Sequence, residues 1–363
     1  MNIKKILTSQ AEPGMIVAED VYTFSNQLII SKNTQITDRI ITRLKFYSIQ
    51  SIKIVLTDEH VNAPDEKPVM DESYSEKVKK SEEFKRFNDN FIKSTDFIKN
   101  SLNDIVASNM KNIDTDALLN QTNALISGAR NGSHMFDMLH CMRDYDDLTY
   151  AHSVNVALIC NVLGRWLKFS RKDLDTLTLC GLLHDIGKIS IPPEIVEKPG
   201  KLTDDEFQII KMHTLKGYET LKNKDINIHV QMSAMMHHER CDGSGYPMGI
   251  KSAQIDRMAK VVMVADVYDA LTSARVYRGP LCPFEAIRIF EREGLSKYDP
   301  RCIMTFLEHV NDTYLNNRVL LNNKQEGVII MTNHSRPSKP LIKIGKEFLD
   351  LNEEEDLFIE KIL

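Results

Sequence analysis

HHERCDGSGYP, His237 to Pro247, sets two adjacent imidazoles against a run of turn-forming residues. Paired histidines weaken a helix and add little to a core, so this stretch needs a partner elsewhere in the chain. His237 and His238 read as a helix end whose two rings reach a common target. Gly243 and Gly245 allow positive φ and close backbone approach, and Pro247 fixes the exit. Glu239 and Asp242 read as partners that orient the loop or hold a histidine N–H.

Two acids supply the other half. In LLHDIGK, His184 and Asp185 stand at the end of an apolar helix carrying Leu174, Leu177, Leu182 and Leu183; Gly187 reads as the end of that helix, and Lys188 follows within one turn. In AKVVMVADVYDALTS the helix is apolar on nearly every face, so Asp266 is expected in the core. A buried carboxylate without a partner costs several kcal/mol. Something positive has to meet both acids.

Five of the eleven histidines, His152, His184, His213, His237 and His238, read as lying at or near helix ends in this region. Any one of them alone is ordinarily a satisfied core or surface residue. Five with two buried acids and no thiolate fit a borderline divalent ion better than a thiolate-rich structural zinc site. More than four ligands implies more than one ion, and an aspartate beside a histidine can bridge two. Water shared by two such ions becomes hydroxide near neutral pH, which suits phosphoester hydrolysis.

The rest of the chain sets limits. It has 363 residues, 42% of them apolar, enough for two or three domains with a real core. A net charge of -5 and a pI near 6.1 give no whole-chain footprint for DNA, RNA or an anionic membrane, so direct nucleic-acid binding is not expected. Cys141, Cys160, Cys180, Cys241, Cys282 and Cys302 form no C-x-x-C pair. No signal peptide and no run long enough to span a membrane is found. The expected location is the cytoplasm.

The organisation reads as mainly α. Residues 1–64 alternate short apolar runs with turns around a helix (TDRIITRLKFYS, Asp38 near its start, Ile40, Ile41, Leu44 and Tyr47 on one stripe), a small N-terminal α/β module. Residues 65–138 read as a linker and helical region whose stripe of Phe84, Phe87, Phe91, Ile92, Phe97, Ile98, Leu102 and Ile105 calls for a packing partner. Residues 139–315 read as a helical catalytic domain, and 316–363 as a short C-terminal β segment on NRVLL, GVIIMT and PLIKI. Regulatory docking and homodimerisation through the N-terminal and helical regions both stay open.

HDIGK at 184–188 with HHERCDGSGYP at 237–247 resembles the HD-GYP family, a branch of the HD phosphohydrolases. The likeness extends to TYAHSVNVA, KMHTLKGYE and VADVYDALTSARVYR, so it covers about residues 140–315. It implies an HD-type helical bundle that hydrolyses cyclic di-GMP, to linear pGpG and/or GMP, through a metal-bridging hydroxide. By the same resemblance His152, His184, Asp185, His213, His237, His238 and Asp266 are metal ligands, and Asp185 and Lys188 are catalytic. Lys188, Arg275, Arg278, Gly245 and Tyr246 then contact the substrate; Arg275 and Arg278 are one helical turn apart and can fork onto one phosphodiester. Family members with a third metal carry an acid four positions before the first histidine. Leu148 stands there, so two ions are expected, iron or manganese, with Asp146 and Asp147 nearby. A receptor with little turnover, or a hydrolase of another nucleotide such as cyclic GMP-AMP, are the alternatives.

Overall fold

SIKIV, Ser51–Val55, alternates apolar and polar residues, and in the structure, a computed structural model, it is the strand on which the N-terminal sheet is built. The structure describes residues 3–8, 11–12, 14–22, 28–37, 40–41, 44, 49, 51–55, 74–108, 111–142, 148–198, 200–273, 279–345 and 347–363. The chain forms two compact units, Met1–Asp71 and Glu72–Leu363.

In the first unit, strands β1 (Ile3–Leu7), β2 (Ile16–Val17) and β5 (Ser51–Val55) pair in the order β1-β5-β2. Strands β3 (Val21–Tyr22) and β4 (Leu28–Ile30) form a separate pair. Ile6 faces Ile52 across the β1–β5 ladder, both antiparallel and buried. The period of two puts Ile52 and Ile54 inward and Lys53 outward. Val17, Ile36 and Leu44 complete this core. Asp38 and Tyr47, read above as the start and stripe of a helix, lie outside the described residues.

The second unit is mainly α. Its helices are α1 (Tyr74–Lys80), α2 (Glu82–Ala107), α3 (Thr115–Gly128), α4 (Gly132–Cys141), α5 (Leu148–Trp166), α6 (Arg171–Leu183), α7 (Pro193–Val196), α8 (Asp204–Leu221), α9 (Ile228–Met236), α10 (Arg257–Thr272), α11 (Pro283–Lys297) and α12 (Pro300–Asp312). Side-chain caps open many of them: Ser81 accepts from Phe84 N before α2, and Thr203 with Glu206 forms a capping box before α8.

The partner that α2 calls for is the chain's own core. Phe87, Phe91, Ile98, Leu102 and Ile105 are buried in one cluster with the helices that follow. Phe97 leaves that stripe and is 37% exposed. Within the cluster α10 is central: Val261, Val262, Met263, Val264 and Ala265 are all buried, on every side of the helix. It packs on α5, α6 and α9, while α8 lies against α9 and the short turn Ile186–Ser190 that follows α6. Each of these five helices carries, or hands on at its end, one of the chemically active residues.

The chain ends in a five-stranded antiparallel sheet, β10-β6-β7-β8-β9, from β6 (Arg318–Leu321), β7 (Glu326–Met331), β8 (Leu341–Ile344), β9 (Glu347–Asp350) and β10 (Ile359–Ile362). Val319, Leu321, Ile329 and Ile342 join the helical core. Ser338 donates from its N and Oγ to Glu291 on α11, which ties the sheet to the helices. Among the described residues no helix is long and apolar enough to cross a membrane.

Candidate metal centre

Five helices deliver seven side chains to one place. His152 lies near the start of α5, and His184 caps the C-terminal end of α6 with Asp185 directly after it. His237 caps the end of α9, His238 follows, and Asp266 sits within α10. His213 differs from the sequence expectation, since it lies inside α8 rather than near an end. All except His238, which is partly exposed, are buried.

Gly187 has a different task from the helix stop expected of it. Helix α6 ends before it, and Gly187 lies in the turn Ile186–Ser190 pressed on the backbone of α8. A Cβ there would stand 1.9 Å from the His213 carbonyl oxygen and 2.5 Å from Gly217 N. Only glycine admits that approach, and it brings Asp185 alongside His213.

Hydrogen bonds set which nitrogen of each ring faces inward. Nδ1 donates to Gly181 O at 2.7 Å in His184, to Ile210 O at 2.6 Å in His213 and to Ser233 O at 3.0 Å in His237. In His152, Nδ1 meets Asp269 Oδ2 at 2.6 Å. Carbonyl oxygens only accept, so the proton is on Nδ1 and the neutral ring turns the Nε2 lone pair to the centre.

Two groups of donors result, and Asp185 belongs to both. Its Oδ1 lies 3.3 Å from His213 Nε2 and 3.5 Å from His237 Nε2, which are themselves 3.2 Å apart. Its Oδ2 lies 3.3 Å from His184 Nε2, 3.6 Å from His152 Nε2 and 2.5 Å from Lys188 Nζ. Asp266 Oδ1 is 3.1 Å from His152 Nε2, and Oδ2 is 3.8 Å from His238 Nδ1. The donor atoms of Asp185, His213, His237 and His238 all lie within 4.8 Å of one another, as do those of His152, His184 and Asp185.

This arrangement fits divalent cations. His184 Nε2 and Asp185 Oδ1 are buried and have no partner in hydrogen-bonding geometry. Lone pairs of His213 and His237 directed at each other over 3.2 Å repel unless a cation lies between them. The electrostatics agree. Burial opposes ionisation of Asp185, but the Lys188 ammonium outweighs it and holds the carboxyl well below its usual range. Burial pushes His213 down to about 3, and burial with His237 holds His238 well below its ordinary value. An ionised Asp185 facing neutral His213 and His238 presents the protonation states metal binding requires.

The loop after His238 forms one wall. Glu239 is fully buried and accepts from Met248 N at 2.7 Å and Ile250 N at 3.1 Å, so it orients the loop rather than a histidine. Asp242 binds Ser244 within the same loop. Gly243 has φ +87°, whereas Gly245 serves by close approach: a Cβ there would lie 2.4 Å from the Glu239 and Arg240 backbone. Tyr246 stacks on His238 with ring centroids 4.7 Å apart. Arg275 and Arg278 lie outside the described residues, as do Asp146 and Asp147. Leu148 opens α5.

Residues 136–302 match the profile of a family described as HD domain. The match and the relatives below support an HD domain of the HD-GYP family over these residues. The HD domain implies divalent metal binding, and the two donor groups are where this chain offers it. Cyclic di-GMP phosphodiesterase PA4108 of Pseudomonas aeruginosa is 34% identical over 229 residues, 63% of this chain and 52% of that protein. A Cyclic di-GMP phosphodiesterase of Thermotoga maritima is 35% identical over 187 residues, 50% of each chain. The 3'3'-cGAMP-specific phosphodiesterase 1 of Vibrio cholerae is 41% identical over 145 residues, 40% of this chain and 34% of that protein. The chain thus spans about half the length of the first curated relatives it matches.

One participant in the HD domain escaped the sequence reading. Asp269 is buried and holds His152 Nδ1, while its Oδ1 accepts from Asn155 Nδ2 at 3.0 Å and Ser273 Oγ at 2.9 Å. The signal was available: Asp269 follows Asp266 by three residues, so the two acids share a face of an otherwise apolar helix.

Proposed function

We propose that the HD domain is a metal-dependent phosphodiesterase that opens cyclic di-GMP to linear pGpG and can cut that product to GMP. One observation carries the reading: Asp185 presents one oxygen to each of two imidazole groups, a geometry suited to two ions sharing one anion. The ligands would be His152, His184, Asp185, His213, His237, His238 and Asp266. Two divalent ions, iron or manganese, would supply electrophiles for the phosphate oxygens and acidify a water between them.

The chain's own residues do the remaining work. Lys188, only partly buried at the edge of the cluster, places an ammonium where charge builds up on the phosphate as the 3′ oxygen departs. Gly245 lets the loop backbone come close, and Tyr246 presents its ring beside His238. Arg275 and Arg278 are assigned to the phosphates by the family resemblance, and their one-turn spacing agrees with that role. All six cysteines are free thiols, which supports a reducing, cytoplasmic location.

The test is to incubate metal-replete protein with cyclic di-GMP and separate the products by chromatography. Linear pGpG or GMP is expected, and none after chelation; full activity in stripped protein refutes the reading. A second reading, hydrolysis of cyclic GMP-AMP, is favoured by the name of the 41% identical Vibrio cholerae relative. The same assay run with that substrate decides between them. Calorimetric binding with no product in metal-loaded protein identifies a receptor instead.

A further inference from the structure

Beside the metal cluster stands an aromatic and cationic group that this chemistry leaves unused. Phe207 and Lys211 are one turn apart on α8, ahead of His213, and therefore share a face. Lys211 Nζ lies 4.7 Å from the Phe207 ring centroid and 5.7 Å from that of Tyr246. Tyr246 is stacked on His238, and its ring meets Phe207 edge-on at 6.5 Å. A continuous row of rings thus leads outward from a proposed metal ligand: His238, Tyr246, Phe207.

Phe207 is 44% exposed at the end of that row, and Met248, just beyond the loop's proline, is 46% exposed. Exposed apolar side chains scattered singly need no explanation, but a ring backed by an ammonium beside a catalytic cluster is chemically specific. Its faces suit a flat π system. The ammonium suits an acceptor edge, and guanine offers O6 and N7 where adenine offers N7 beside an N6 donor.

We propose that Phe207 and Lys211 form a shelf on which one nucleobase of the cyclic dinucleotide rests, Phe207 stacking on it and Lys211 favouring guanine. The inference rests on the phosphodiesterase reading above. It separates two tasks: the buried cluster handles the phosphodiester, and the face of α8 outside it reads the base.

The experiment uses the full chain, metal-loaded, with cyclic di-GMP and cyclic di-AMP as substrates. Stacking on an aromatic side chain predicts that Phe207→Ala raises KM for both by roughly 5- to 100-fold, with kcat, metal content and melting temperature held. Phe207→Trp should restore KM. Lys211→Met should lower the guanine-over-adenine ratio of kcat/KM by about fivefold or more. A KM within twofold of wild type in Phe207→Ala, or a Lys211→Met ratio that does not move, overturns the corresponding half of the proposal. If the wild type turns over neither substrate, the phosphodiesterase reading fails, and calorimetric binding of cyclic di-GMP judges the shelf separately. Weaker binding by Phe207→Ala then supports it; equal binding, or no binding by the wild type, ends it.

Discussion

Asp269 Oδ2 lies 2.6 Å from His152 Nδ1, a contact between α10 and α5 that fixes which nitrogen His152 turns toward Asp185 and Asp266. A carboxylate in this position also makes the imidazole a stronger donor. Asp269→Asn should therefore weaken binding of the ion nearest His152 by roughly 10- to 100-fold while the second ion is retained. Competition against a calibrated chelator measures both affinities; two unchanged constants would reject the role.

Gly187→Ala should detach the Asp185 turn from α8, because the added methyl would meet the His213 carbonyl. Overpacking of this kind costs about 1–3 kcal/mol. Metal content should fall with it, since Asp185 and His213 separate. Urea unfolding and elemental analysis of the same preparation check the pair, and a variant with normal stability and metal would show the contact to be yielding.

Asp185 and Lys188 are separable by metal content. Asp185→Asn removes the anion common to both donor groups and should abolish metal binding together with turnover. Lys188→Ala should keep its metal and lose roughly 10²–10³ in kcat, the usual cost of a charge-stabilising donor. Loss of metal in Lys188→Ala would reassign the lysine to holding Asp185.

The pH dependence of the metal-free protein has a defined sign. Burial lowers His213 from 6.5 to about 3, so the folded chain binds this proton later than the unfolded one. The stabilising contribution is complete above about 6.5 and is lost as pH falls toward 3, with a limiting slope of about 1.4 kcal/mol per pH unit. His213→Gln should flatten the profile by one proton between pH 6 and 4.5, read from urea midpoints after chelation. A profile identical to wild type would mean that His213 titrates normally.

Much of the centre was legible because buried charge is rare and local. Asp266 in a helix apolar on all sides, and His184–Asp185 after an apolar run, lead the sequence to place both acids in the core beside imidazoles, and that is where they lie. Gly187 reads from the sequence as a helix end because a sequence shows that a glycine is present and not what presses on it; it makes room for the backbone of α8, whereas the close approach expected at Gly245 is found, against Glu239 and Arg240 of its own loop. Asp269 was hidden among apolar neighbours although its spacing from Asp266 was visible. The stripe of α2 was correctly apolar, but periodicity does not say whether its cover is another molecule or, as here, the same chain. Phe97 kept company with that stripe in sequence and fell off it in space, since the helical angle and not mere proximity decides burial.

The two oxygens of Asp185 meet different imidazole sets, so a single negative charge is divided between both positions. Loading should then be stepwise: the first cation to arrive drains electron density from the shared carboxylate and leaves its neighbour a poorer host. Titration with manganese would show two unequal plateaus rather than one, and dilution would empty one half of the centre before the other.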